Sequence, residues 1–131
     1  MAGRIALIID DEPDITTYHG TLLADAGWDV RTANSGDDGL EIARNEPPDI
    51  VLLDVMMPER GGLSTLIGFR KDPKLESVPV VLVTGIQETL TADFSNFLDR
   101  FKHYNPNGYV EKPIDPEKLL ALLDELTAHE G

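Results

Sequence analysis

Short apolar runs alternate along the chain with longer segments whose apolar residues recur every three or four positions. The strand candidates are Ile5–Asp10 (IALIID), Trp28–Ala33 (WDVRTA), Asp49–Asp54 (DIVLLD), Pro79–Thr84 (PVVLVT) and Gly108–Glu111 (GYVE). Three of them are nearly unbroken Val, Ile and Leu, the pattern of a parallel strand covered on both faces. The second and fifth carry more polar residues and suit the outer positions of a sheet. Helices are predicted over Pro13–Ala26, closed by Gly27, and over Ser35–Asn45, opened by a serine cap and stopped before Pro47-Pro48. Further helices are predicted over Leu63–Lys71, before Asp72-Pro73, and over Ile86–Tyr104, where Ile86, Leu90, Phe94, Phe97, Phe101 and Tyr104 share a face. The last, Asp115–Ala128, starts Asp-Pro-Glu, a cap with proline at the first helical position. Five alternations of strand and helix predict a doubly wound α/β fold, a parallel sheet with helices on both faces. There is no internal repeat, low-complexity tract or linker, so residues 1–131 are expected to form one domain with no output domain attached.

Composition narrows the partners. The 24 Asp+Glu against 11 Lys+Arg give a formal net charge of −13, and 41% hydrophobic residues are enough for a packed core. Nucleic-acid binders carry a basic face and anionic membranes attract basic segments, so neither partner is expected. Cysteine is absent, which excludes disulfides, thiolate metal sites and cysteine nucleophiles. The apolar run Ile5–Ile9 is far too short to cross a bilayer, and no signal-peptide pattern follows it. The expectation is a soluble, cytoplasmic protein.

In an open parallel α/β sheet, ligands bind outside the carboxyl ends of the strands. Those ends read Asp10-Asp11, Asp54, Thr84 and, just past the fifth strand, Lys112; the second strand ends in Ala33-Asn34, with nothing reactive. If strands one and three are neighbours, three carboxylates converge. Two such charges about 4 Å apart repel by roughly 4 kcal/mol at an effective dielectric of about 20, so a compensating cation is expected. An all-oxygen site suits Mg²⁺, which keeps several waters and takes one or two carboxylates directly. With an ammonium from Lys112 and a hydroxyl from Thr84, the set forms a receptor for a tetrahedral anion around Asp54, which becomes a candidate nucleophile. Taken singly, each residue has a plainer reading. An acidic helix start suits the helix dipole, and Asp before Met-Met-Pro is commonly a turn residue. Four such residues on one edge make the joint coincidence improbable.

The segments IIDDEPDI, LLDVMMP followed by Gly62, VLVTG and GYVEKPID, in this order, resemble the receiver domain of bacterial two-component response regulators across the whole chain. The resemblance implies a (βα)5 flavodoxin-like three-layer sandwich with strand order 2-1-3-4-5. It implies that Asp54 accepts a phosphoryl group from a sensor histidine kinase or a phosphotransfer protein. Asp11, Asp54 and the carbonyl of Met56 would hold Mg²⁺ directly, and Asp10 through water. Lys112 would pair with the phosphate, Thr84 would bond a phosphoryl oxygen, and Tyr109 would change exposure on activation. The Lys112–Pro113 bond would be cis. The switched face, formed by the fourth helix, fifth strand and fifth helix, would signal to a downstream protein partner. A homodimer is also compatible with the resemblance, as is a receiver that works as an interaction module without phosphorylation.

Two other classes fit less well. A flavodoxin-type electron carrier needs a phosphate-cradling first loop, and DDEPD would repel phosphate. An aspartyl-nucleophile phosphohydrolase needs a second acid or base and a substrate cap, and neither is visible. His19, His103 and His129 lack ligand spacing and read as surface or helix residues, and Trp28 as packing at the start of strand two. Two departures from the family pattern stand out. The interval from Thr84 to Lys112 is several residues longer than usual, with the surplus in the fourth helix or the loop His103–Asn107. It is read evenly as a tolerated loop or as an altered partner surface. Gly61 stands where relatives often have Asp, which implies a more flexible turn.

Met56 and Ile86 lie two residues past Asp54 and Thr84, positions that border the phosphoryl group in this family, and both are apolar. Neither can orient an attacking water. The phosphorylated wild type is therefore expected to lose its phosphoryl group more slowly than a Met56→Asn variant. Parallel time courses of dephosphorylation check this, and equal or faster decay of the wild type refutes it.

Overall fold

The computed structural model describes residues 3–55, 61–85 and 99–127. Its strands are β1 (Ile5–Ile9), β2 (Asp29–Ala33), β3 (Ile50–Asp54), β4 (Val80–Thr84) and β5 (Gly108–Glu111). All neighbouring pairs are parallel, in the order β2-β1-β3-β4-β5. The helices are α1 (Pro13–Asp25), α2 (Gly36–Asn45), α3 (Gly62–Lys71), a helical stretch at residues 99–102 (α4) and α5 (Pro116–Thr127). The expected doubly wound fold and strand order are both observed, with the two more polar strands at the sheet edges.

The pleat of the strands splits the core in two. Alternate residues of a strand face opposite sides, and Leu7, Ile9, Val51, Leu53, Val80 and Leu82 pack in one buried cluster with Leu66 and Phe69 of α3 and Phe101 of α4. Ala6, Ile8, Ile50, Leu52, Val81 and Val83 pack in the other with Leu23 of α1 and Leu119 and Leu123 of α5. The helices meet these faces at three- and four-residue spacing: Thr16, His19, Gly20 and Leu23 on α1; Gly62, Thr65, Leu66 and Phe69 on α3. Trp28 is buried as expected, with the Arg4 guanidinium 4.0 Å from its ring centroid.

Most boundaries differ from expectation by a single residue. Ser35 caps α2 by accepting the Asp38 N–H at 3.1 Å, and Gly27, at φ +98°, ends α1 in the left-handed region that favours glycine. The fourth helix stops short of Tyr104. Tyr104 and Asn105 close tight turns onto the carbonyls of Phe101 and Lys102, and Asn105 takes φ +52°. Residues 86–98 of that predicted helix lie outside the described residues.

The loop after α4 is tied down by Arg70 near the end of α3. Its guanidinium donates to the carbonyls of Tyr104, Asn105, Glu76 and Val78 and to Asn107 Oδ1, at 2.8–3.2 Å. Asn107 Oδ1 also accepts the Val80 N–H at 2.9 Å, so one side chain joins α3 to the starts of β4 and β5. Arg70→Leu strips the donor from five acceptors, two of them partly buried, and is expected to lower stability by about 2 kcal/mol. The loss should clearly exceed that of Arg31→Leu, whose pairs with Asp29 and Glu46 lie at the surface. Denaturant midpoints of the two variants check this; equal losses would mean that the clamp is dispensable.

Candidate functional site

At the carboxyl end of β1 the chain turns through Asp10, Asp11 and Glu12 into α1. Asp10 remains attached to the sheet through its N–H, which donates to the Ala33 carbonyl at 3.1 Å. Its side chain is buried, and both carboxylate oxygens are engaged. One accepts the Glu12 N–H at 3.0 Å and the other the Lys112 ammonium at 3.1 Å. Asp10, Asp11 and Glu12 each place a carboxylate oxygen in a group whose members all lie within 4.8 Å of one another. Glu12 was not among the expected site residues; its place in DDE was the available signal, but it read as an ordinary acidic helix start.

Asp54 closes β3 and is buried, with its Oδ2 4.0 Å from the Lys112 Nζ. Lys112 therefore sits between Asp10 and Asp54, its own side chain 23% exposed. Its backbone N–H donates to the Thr84 carbonyl at 2.7 Å, which ties the residue after β5 to the end of β4, and the Lys112–Pro113 bond is cis. Partial burial works to lower the Lys112 pKa. Asp54, the hydrogen bond to Asp10 and the charge of Glu12 outweigh it, and the ammonium is held above its ordinary value. Thr84 ends β4, buried, and its Oγ1 donates to the Val110 carbonyl at 3.4 Å, a long and weak bond. Tyr109 stands opposite Leu82 on edge strand β5 and is 42% exposed.

The first turn of α3 approaches β3 closely. A Cβ on Gly62 would lie 2.7 Å from the Val55 Cα and 2.8 Å from the Asp54 carbonyl oxygen, so glycine is needed there. Gly61 caps α3 at φ −69°, a conformation open to any residue. Met56 and Ile86 fall outside the described residues. The cluster of Asp10, Asp11 and Glu12 does not include Asp54, but an all-oxygen, acidic donor set opposite a single ammonium suits a hard divalent cation.

Of the surface or helix placement read for it, His19 takes the helix: it lies on the inner face of α1, buried, with its ring 5.6 Å from that of Tyr18.

Fold and edge together define a doubly wound α/β domain with an acidic, lysine-bridged site at the carboxyl ends of β1 and β3. Residues 6–124 match the family model of the response regulator receiver domain, and the chain belongs to that family. It is 36% identical over 128 residues to protein Rrf1 of Nitratidesulfovibrio vulgaris, covering 98% of this chain and 85% of that protein. It is 33% identical to protein PilH of Pseudomonas aeruginosa, covering 93% and 96%. Among solved structures, chemotaxis protein CheY4 of Vibrio cholerae superposes with a TM-score of 0.84 at 27% identity, covering 95% of this chain and 99% of that one. Receiver domains are signalling domains rather than classical enzymes. They bind Mg²⁺ in an acidic pocket and interact with histidine kinases or phosphotransfer proteins and with downstream targets. Among the described residues, no helix is long and apolar enough to cross a membrane.

Burial depresses the His19 pKa, the Lys112 charge adds to that, and Asp10 opposes it in part. A histidine that protonates less readily folded than unfolded contributes full stability above its unfolded pKa of about 6.5. That contribution declines as pH falls from there through the folded pKa. Between about pH 7 and about pH 5 the wild type should lose more stability than His19→Leu. Urea unfolding at the two pH values measures this, and parallel losses in the two proteins would refute it.

Proposed function

We propose that Asp54 accepts a phosphoryl group from a phosphohistidine of a sensor kinase or phosphotransfer protein, and that the change is passed to a downstream protein. The observation that carries this reading is a buried carboxylate at the end of a central strand, 4.0 Å from an ammonium that also pairs with a second buried carboxylate. An Asp54 oxygen attacks phosphorus as the P–N bond breaks, and the electron pair leaves with the imidazole nitrogen. Such transfers pass through a loose transition state with charge on the equatorial oxygens, so the protein contributes position and electrostatics. Lys112 is already beside Asp54 and needs only a small shift from Asp10 to meet that charge. Asp11, Asp54 and the Met56 carbonyl would hold Mg²⁺, with Asp10 acting through water; the ion supplies positive charge against the transferring oxygens.

Thr84 and Tyr109 are read as the switch. The long bond from Thr84 Oγ1 to Val110 costs little to break. A phosphoryl oxygen on Asp54 offers the hydroxyl a stronger, charge-assisted acceptor. Its turn vacates space into which the half-exposed Tyr109 ring can move. The affected face borders a cavity of about 390 Å³ between β5 and α5, lined by Tyr109, Glu111, Ile114, Lys118 and Leu122 among others. This supports an output surface for a protein partner rather than nucleic acid or membrane. The location read for the domain is the cytoplasm, where such kinases present their phosphohistidines.

Incubation with acetyl phosphate and Mg²⁺ is expected to add one phosphoryl mass to the wild type, labile to base. Asp54→Asn should abolish the adduct, and omission of Mg²⁺ should suppress it. An adduct that survives in Asp54→Asn would overturn the assignment.

A further inference from the structure

Asn34 carries no reactive chemistry and reads from sequence as the plain end of strand two. The structure gives its side chain a specific task. β1 and β2 pair in register from Ile5–Asp29 to Ile9–Ala33, and the ladder takes one more step, from the Asp10 N–H to the Ala33 carbonyl. There β2 leaves the sheet, because Ser35 is the N-cap of α2. The Asp10 carbonyl thus lies beside a strand that has ended. Asn34 supplies a donor from its side chain, with Nδ2 3.0 Å from the Asp10 carbonyl oxygen.

That bond acts on the peptide plane joining Asp10 to Asp11. The plane is rigid, so holding its oxygen limits the directions in which both side chains leave the backbone. Asp10 is independently anchored through its carboxylate to the Glu12 N–H and Lys112. Among the described side-chain hydrogen bonds Asp11 has no comparable anchor, and its place in the cluster depends on the turn that carries it. Three carboxylates within 4.8 Å repel one another, which favours opening of that turn.

We infer that Asn34 is a positioning residue for divalent-cation capture, its side-chain amide holding the Asp10–Asp11 peptide so that the acidic side chains stay gathered. This rests on the reading of the acidic turn as the Mg²⁺ site. Asn34 touches neither the ion nor the phosphoryl group and acts through the backbone. Only a donor serves here, because an acceptor would face the Asp10 carbonyl oxygen.

Calorimetric titration with Mg²⁺ tests the inference on the full chain. Asn34→Ala is expected to bind Mg²⁺ about three- to tenfold more weakly than the wild type, the worth of one neutral hydrogen bond. Asn34→Gln, which keeps the amide donor, should recover part of that loss. At saturating Mg²⁺ the rate of modification by acetyl phosphate should stay within about twofold of wild type, so the Mg²⁺ dependence moves and the saturated rate does not. Wild-type affinity in Asn34→Ala, or a saturated rate that falls in step with affinity, would overturn the role of Asn34. A wild type that itself binds no Mg²⁺ would instead remove the metal reading on which the inference rests.

Discussion

Like charges that must be held together impose the main constraint on this domain. Asp10 and Asp54 end neighbouring parallel strands and are both buried, with Asp11 and Glu12 close behind in the turn. Removing carboxylates from water is costly, and placing them side by side adds repulsion. Lys112 offsets both terms. It donates to Asp10 at 3.1 Å and reaches Asp54 at 4.0 Å, and its raised pKa shows that the acids outweigh its own burial. One ammonium against this many carboxylates leaves the edge short of positive charge. A site in that condition suits a cation.

The position of Lys112 is enforced from both ends of β5. At the carboxyl end its N–H is bonded to the Thr84 carbonyl, so the lysine is tied to the end of β4. At the amino end Arg70 and Asn107 tie the start of β5 to β4 and to α3. The residues that meet at the site come from positions 10, 54 and 112, and the hydrophobic sheet between them gives each a common edge. The alternation of Leu7, Ile9, Val51 and Leu53 to one face and Ala6, Ile8, Ile50 and Leu52 to the other leaves the polar ends nowhere else to emerge.

Much of this is legible in the sequence. Unbroken apolar runs marked the central strands, mixed ones marked the edges, and Asp54 and Lys112 stood out as polar residues at or just beyond the ends of such runs. Strand ends shifted by a residue because hydrogen bonding decides them, not apolarity. The fourth helix is predicted too far because Tyr104 keeps the apolar period although the backbone there has left the helix, turning back onto the Phe101 carbonyl. What stayed hidden depends on neighbours distant in sequence. Glu12 joins a cluster defined by folding of the turn, Asn34 works on a carbonyl 24 residues away, and Arg70 binds carbonyls from two separate loops. His19 is buried because its helical spacing on α1 turns it to the inner face.

The acid excess takes on a different meaning once burial is known. A charge of −13 is a property of the whole chain and identifies no site. Among the described acidic residues, the buried ones are Asp10 and Asp54, and both face Lys112. Surface carboxylates cost the fold almost nothing, whereas a buried one must be matched by hydrogen bonds or charge. The two sites where that cost is incurred are therefore where selection for stability alone is least able to account for the residue. Gly62 points the same way, because the backbone beside Asp54 is packed too tightly for any side chain there. Charge identifies the partners to exclude; the burial of two carboxylates against one lysine identifies where the chemistry resides.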